Sequence, residues 1–189
     1  MRTRIGLSIG AREVRAVWIE SGAVRWHRSA SLESAARIDD ALRALLDDAP
    51  RTLTRARVNV VLSPAWVQVK PLCGLPPVGS RRAANQLLGQ NQQAFFLWKG
   101  RPGVLADIHI DSKGAAWGAA FDTDMLESLV RALRARRIIL GQIVPVASAL
   151  ATVVPDCTFW WSDGAELFEF EASRRELRSV RRITGTAGI

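Results

Sequence analysis

The sequence predicts an α/β protein: one sheet-and-helix lobe, an inserted strand-helix-hairpin module, and the start of a second lobe. Three observations predict it. Period-2 strand patterns open the chain and return at its end. Apolar stripes of helical period fall between them. Gly, Pro, Asn, Asp and Ser punctuate the segments at short intervals.

Residues 4–9 (RIGLSI) form an apolar run ending at Gly10, a buried strand and turn. In EVRAVWIE, Val14, Ala16 and Trp18 alternate with Glu13, Arg15 and Val17, which gives a strand one buried face. Ser21-Gly22 is a two-residue turn, and AVRWHRSA follows with Val24, Trp26 and Arg28 expected on one face. The period then changes. Ile38, Ala41, Leu42, Leu45 and Leu46 make one stripe of an amphipathic helix, with Ser31 or Ser34 as its cap and Pro50 closing it. RVNVVLSP (57–64) is a β-branched run that reads as a buried strand returning beside the meander.

A second module begins with the alternating strand AWVQVKPL (65–72), broken by CGLPPVG. Residues 80–97 predict a helix capped by Ser80, and VLADIHID (104–111) and AAWGAAF (115–121) a hairpin. Asp122 or Thr123 then caps a helix whose stripe is Met125, Leu126, Leu129, Val130 and Leu133. RRIILGQIVPV is a further strand, and PVASALATVV a short helix before Pro155. The tail is a second meander, with a hairpin at Asp163-Gly164, Leu167, Glu169 and Glu171 alternating with Phe168 and Phe170, and a turn at Ser173-Arg174-Arg175. Ser162-Asp163-Gly164-Ala165 echoes Ser8-Ile9-Gly10-Ala11 at the start of the first meander, as a duplicated unit would. The segments expected are 1–64, a first lobe; 65–144, an inserted module and return strand; and 145–189, a helix and the start of a second lobe.

Composition excludes several classes. The 189 residues are 48% hydrophobic and 23% charged, an ordinary globular balance. No run approaches the roughly 18 apolar residues of a membrane span, and Arg12, Glu13 and Arg15 interrupt any leader-like apolar stretch at the start. Cys73 and Cys157 lack metal-ligand spacing and read as reduced thiols of a cytoplasmic protein. The net charge of +8 raises nucleic acid as a partner. Against it, 23 of the 26 basic residues are Arg, a bias that a GC-rich genome produces without functional demand.

The strand–Gly-turn–strand–turn–strand opening, with helix and strand after it, resembles actin-like (ribonuclease H-related) ATPase domains. Their first turn is of the form D-x-G-x-x-x-x-K/R; here it reads Ser8-Ile9-Gly10-Ala11-Arg12-Glu13-Val14-Arg15. The module at 65–121 resembles the insertion of FtsA and, more closely, of the PilM family of type IV pilus assembly proteins. Ile143-Val144-Pro145-Val146-Ala147-Ser148-Ala149-Leu150 is similar to the PilM-like link to the second lobe. The cytoplasmic domains of GspL-type secretion proteins belong to the same group.

What the resemblance implies is a degenerate family member, either shortened or a piece of a longer chain. Ser8 stands where the family has the aspartate of the first phosphate turn, and a serine supplies no carboxylate to hydrated Mg²⁺. The second phosphate turn falls at Asp163-Gly164, where Asp-Gly is equally an ordinary hairpin turn. The sequence ends before the elements that hold adenosine in the family. Ser8, Gly10, Asp163 and Gly164 are therefore vestigial ATP/Mg positions, and no cofactor, metal or catalytic residue is expected. Gly10 has two readings: approach of backbone N–H groups to a phosphate, or a hairpin needing φ > 0.

His27 and His109 have no acidic or Cys pattern near them and read as ordinary surface or strand histidines, and Asp107, Asp111, Asp122 and Asp124 as strand, turn and helix-start residues. Arg131, Arg134, Arg136 and Arg137, and Arg174, Arg175, Arg178, Arg181 and Arg182, form basic clusters: solvated faces, or docking sites for anionic lipid or an acidic partner. Phe95, Phe96 and Trp98 beside Lys99 and Arg101 are candidates for a partner-docking patch, or else cover the base of the inserted module.

The expectation is a non-catalytic scaffold or adaptor of a type IV pilus or type II secretion assembly platform, binding a cytoplasmic segment of a PilN-like inner-membrane partner. It would be cytoplasmic, with peripheral association at the inner membrane. The rival expectations are an actin-like ATPase that needs a partner chain, and a basic nucleic-acid-binding module.

Overall fold

A computed structural model describes residues 3–33, 38–50, 53, 55–72, 80–90, 96–98, 101–102, 104–110, 116–154, 156–163 and 166–183. The first meander is β1 (Thr3–Ile9), β2 (Glu13–Glu20) and β3 (Ala23–Ser31). It is followed by helix α1 (Ile38–Asp47) and strand β4 (Arg57–Leu62). β2 and β3 are joined at Ser21-Gly22, whose φ values of 51° and 83° are those of a tight left-handed hairpin turn.

The apolar alternation places one face of this meander inward. Ile5, Leu7, Ile9, Val14 and Ala16 are all buried, and Trp18 and Trp26 pack at the rim of the same core. Val24 departs from the expected face. The pairing runs Trp18 to Trp26 and then Ile19 to Val24, so Arg25 is the extra residue of a bulge. A bulge reverses the side to which the following positions point, and Val24 stands 59% exposed. Ser31 closes β3 and so does not cap α1, and the alternative cap Ser34 lies outside the described residues. The helix stripe is as expected: Ile38, Ala41, Leu42, Leu45 and Leu46 are its buried residues. Each fully buried leucine contributes about 1.5–3 kcal/mol relative to exposure.

β4 runs parallel to β1, and β10 (Ile139–Pro145) runs parallel to β4 on its other side. The sheet order is β10-β4-β1-β2-β3. Helix α3 (Thr123–Ala135) packs against α1 and brings the chain to β10. Asp122 is its N-cap, the carboxylate accepting from the Met125 amide at 2.9 Å. Its buried face includes Ser128 and Ala132, with Leu126 and Val130 only half-buried. Small residues there let α1 approach, and Arg131 ties the two helices by reaching Asp39 at 3.3 Å.

The inserted module is β5 (Val67–Pro71), α2 (Arg81–Gln90), a short pair β6 (Leu97–Trp98) and β7 (Arg101–Pro102), then β8 (Val104–Ile110) and β9 (Ala116–Phe121). Its sheet order is β5-β9-β8. Ser80 caps α2 as expected, accepting from the Ala83 amide at 3.2 Å. Residues 97–98 pair as strand instead of continuing the helix predicted over 80–97. Trp66, Val67, Ala119 and Phe121 extend the main core into the base of this module.

Helix α4 (Val146–Val153) leads to the second meander: β11 (Asp156–Asp163), β12 (Glu166–Ser173) and β13 (Glu176–Ile183). Phe168, Phe170, Ala172 and Leu177 are buried on one face beneath α4, as the alternation predicts. Asp156 accepts from the Arg174 amide at 2.9 Å and so fastens the β12–β13 turn to β11. A hydrogen bond from the Ser173 side chain, then the one from the Arg174 backbone, holds its carboxyl below the usual aspartate range. A depressed folded value contributes stability above the unfolded value of about 4 and loses it as pH falls through the lowered one. Urea midpoints taken across that window are expected to fall more steeply for the parent than for Asp156→Asn.

Candidate functional site

The first turn is closed upon itself. Gly10 donates its amide to the Glu13 carbonyl at 2.8 Å, and its own carbonyl accepts the Trp66 indole N–H at 2.8 Å. The Ile9 carbonyl accepts from Ser63 at 3.0 Å, and the Arg12 carbonyl from Leu32 at 2.7 Å. The Gly10 amide is thus committed to the hairpin, where a phosphate cradle would need it turned outward. Among the described residues the glycine with positive φ is Gly22, so left-handed backbone does not explain Gly10. Ser8 lies within the ladder, opposite Arg15 on β2 and Val61 on β4, and is half-buried on the sheet face away from the core.

At the second turn, Asp163 pairs with Glu166 at the end of β11. Gly164 and Ala165 lie outside the described residues, as does the Asp163 side chain. The aromatic patch divides. Phe96 is 1% exposed, and a Cβ placed on Gly118 would come within 2.6 Å of its ring and 3.1 Å of Leu72. Phe96 therefore covers the base of the inserted sheet and is not an exposed docking residue. The Lys70 ammonium sits 5.8 Å from its ring centroid. Phe95 and Lys99, with the side chains of Trp98 and Arg101, lie outside the described residues.

The site that sequence reading missed lies where three pieces converge. A cavity of about 180 Å³ is framed by Val69, Trp117 and Phe121 of the inserted sheet, Ile143 to Pro145 of β10, and Ser148, Ala151 and Thr152 of α4. Ala119 and Ala151 are the small residues of its walls, where larger side chains would intrude on it. Arg175, Glu176 and Leu177 form its lip. The walls are apolar and the lip is polar, the arrangement that takes an apolar side chain and orients its backbone. Arg174 and Arg175 both hold positive φ, 55° and 63°, where asparagine or glycine is the ordinary choice. Replacing Arg175 with Gly is expected to raise stability by about 1 kcal/mol. Thermal unfolding checks this; a loss of stability would show that the Arg175 side chain supports the lip.

Charge pairing reduces the two basic clusters. Arg136 pairs with Asp47, Arg182 with Glu166 at 2.6 Å, Arg178 with Glu176 at 2.8 Å, and Arg181 with Glu169 at 3.9 Å. The exposed pairs among these add about 0–1 kcal/mol each, and all four offset part of the local positive charge. Among the described residues no group of three or more His, Cys, Asp or Glu is placed to hold a metal ion, and no helix is long and apolar enough to cross a membrane.

A five-stranded mixed sheet with parallel β1, β4 and β10, an insertion after β4 and a helix leading to a second meander define an actin-like ATPase fold. Within that fold the likeness extends to a PilM–PilN complex chain and to the cytoplasmic domain of EpsL, and it is a likeness of fold. The chain is similar to one in a PilM–PilN type IV pilus biogenesis complex, at 16% identity and TM-score 0.69, over 96% of this chain and 61% of that one. It is similar also to the cytoplasmic domain of EpsL, an inner-membrane component of the type II secretion system of Vibrio cholerae, at 12% identity and TM-score 0.67, over 96% and 71%. A Bacteroides thetaiotaomicron protein with an actin-like ATPase fold matches at 8% identity and TM-score 0.58, over 96% and 69%. No family model and no curated protein matches the sequence. The chain thus spans 61% of the length of the PilM–PilN complex chain it resembles.

Proposed function

We propose that this protein is a non-catalytic scaffold of a type IV pilus or type II secretion assembly platform, holding a cytoplasmic segment of a PilN-like inner-membrane partner. The observation that carries the reading is the apolar cavity between the inserted sheet, β10 and α4, in a fold similar to one found in a PilM–PilN complex. Ser8 in place of a carboxylate and the committed Gly10 amide favour binding over ATP turnover. The protein would work in the cytoplasm, and its contact with the membrane would come through the partner.

The partner segment would be gripped mainly by side chains. The β10 pairing with β4 shifts between Leu140 and Ile143, and Pro145 has no N–H, so β10 offers a broken edge for an added strand. Calorimetric titration with the cytoplasmic tail of a PilN-like protein tests the reading. Saturable binding is expected, weakened about tenfold or more by Ser148→Phe, which fills the cavity. ATP with Mg²⁺ is expected to give no heat at high micromolar concentration. Binding indifferent to Ser148→Phe would remove the cavity from the proposal, and tight ATP binding lost in Asp163→Ala would replace it with a nucleotide site.

A further inference from the structure

Among the described residues, the second face of the five-stranded sheet is covered only at one side, where α4 lies over β10 and β4 and Val61 packs against its cluster. Register places Gly6, Ser8, Val17, Val61 and His27 on it, away from the buried side. With Gly6 and Ser8 on the central strand, the face is hollowed along its middle into a shallow trough with Val17 and Val61 as walls. A Cβ on Gly6 would meet Val17 Cγ1 at 3.3 Å, a tight contact with a single side chain that would have to yield by a few tenths of an ångström. Glycine inside a strand marks a bulge, a bend, or a place where a ligand or another backbone comes close, and the ladder here has neither bulge nor bend at Gly6. Two of the exposed large apolar residues, Val24 at 59% and Ile139 at 50%, sit on the same face by register.

One end of the trough is strongly cationic. Arg57 starts β4 opposite Ile139, and the turns just before these strands carry Arg55 and Arg137. The Arg55 amide donates to the Arg137 carbonyl at 2.8 Å, which pins the two turns together. Both arginines hold positive φ, 67° and 54°. None of the three forms an ion pair among the described residues. At the other end Glu13 is already paired with Arg15 at 2.6 Å.

We infer that this face docks an amphipathic helix whose apolar stripe fills the Gly6–Ser8 trough and whose acidic end meets Arg55, Arg57 and Arg137. A helix is the shape that covers a concave apolar sheet face. Its C-terminal dipole and acidic side chains would supply the charge that the three arginines lack. The trough and the partner cavity share no lining residue, so either can fail alone.

The test uses the whole chain and two synthetic helical peptides of about 18 residues with one Leu/Ala stripe, flanked either by Glu or by Lys. Fluorescence anisotropy of labelled peptide is expected to show the Glu peptide binding at least about tenfold more tightly. Its advantage should shrink when salt rises from about 0.1 to about 1 M, where the screening length falls to about 3 Å. Arg55→Asn with Arg57→Gln and Arg137→Asn keeps residues that tolerate the left-handed turns, and is expected to remove the preference for Glu. Val17→Asp is expected to abolish binding of both peptides, with thermal unfolding confirming that each variant folds. Equal affinity for the two peptides, or binding untouched by Val17→Asp, would overturn the inference. So would a dimer dissolved by Val24→Asp, or retention on anionic vesicles lost in the triple variant while neither peptide binds.

Discussion

Leu42→Ala is expected to remove about 3–5 kcal/mol of stability, the upper part of the range for such changes. Leu42 is fully buried, on the helix that lies between the meander and α3. Leu45, Leu46, Leu129 and Leu133 belong to the same core and are held by two helices and a sheet, so the site has little room to collapse around a void. A domain of this size is stable by about 5–15 kcal/mol in total, so the loss should be evident in urea unfolding. Leu42→Met conserves volume and is expected to cost less than about 1.5 kcal/mol. A loss below about 1 kcal/mol for Leu42→Ala would mean that α1 does not seat on the sheet as described.

Gly141→Ala is expected to destabilise by about 2–3 kcal/mol and to weaken capture of the partner peptide as well. Its added Cβ would lie 2.5 Å from Asn59 Oδ1, 2.8 Å from Arg57 Cγ and 2.9 Å from the Val58 carbonyl oxygen. The first two belong to side chains that can move. The carbonyl belongs to a central strand held on its far side by β1, where Ile5 pairs with Val58, and it has nowhere to go. Asn59 Oδ1 also accepts the Gln142 amide at 3.2 Å, which props the bulge. Pushing β10 outward shifts Ile143 to Pro145, which line the cavity. Gly89→Ala is the informative contrast, since nothing lies within 4 Å of that Cβ on α2 and the change should stabilise by about 1 kcal/mol. Unfolding midpoints and peptide affinity separate the two sites.

Most of the element order could be read from the chain because each element carries a local signal. Alternation marked β2 and β12, the Leu42 stripe marked α1, and Asp122 marked the start of α3. The misreadings came where a non-local partner decides. The bulge at Arg25 depends on how β2 meets β3, and it turned Val24 outward against a clean local pattern. Phe96 looks like a surface knob beside basic residues until β9 brings Gly118 beneath it. Leu126 and Val130 scored as stripe residues, yet the face that α1 meets selects Ser128 and Ala132. The cavity had no local signal at all. Its walls come from strands and a helix far apart in sequence, and its openness comes from small residues that look neutral in isolation. The Gly10 turn was legible as a turn, but its closure by Trp66 was not, because that indole arrives from beyond β4.

The parallel pairing of β10 with β4 also bears on how the chain reaches this state. Everything from Ser63 to Ile138 is emitted between these two neighbours, so the central sheet can close only after the inserted module and α3 exist. Closing so long a loop before its contacts form is entropically costly, and parallel pairing of distant strands is intrinsically slow. During synthesis, a ribosome-bound chain from which β4 has emerged and β10 has not would present the outer edge of β4 with no strand to cover it. Such an intermediate, with an unpaired strand edge, would be prone to aggregate. A holdase or a low translation rate over the insertion would protect it, and expression yield, more than equilibrium stability, would report how well that protection works.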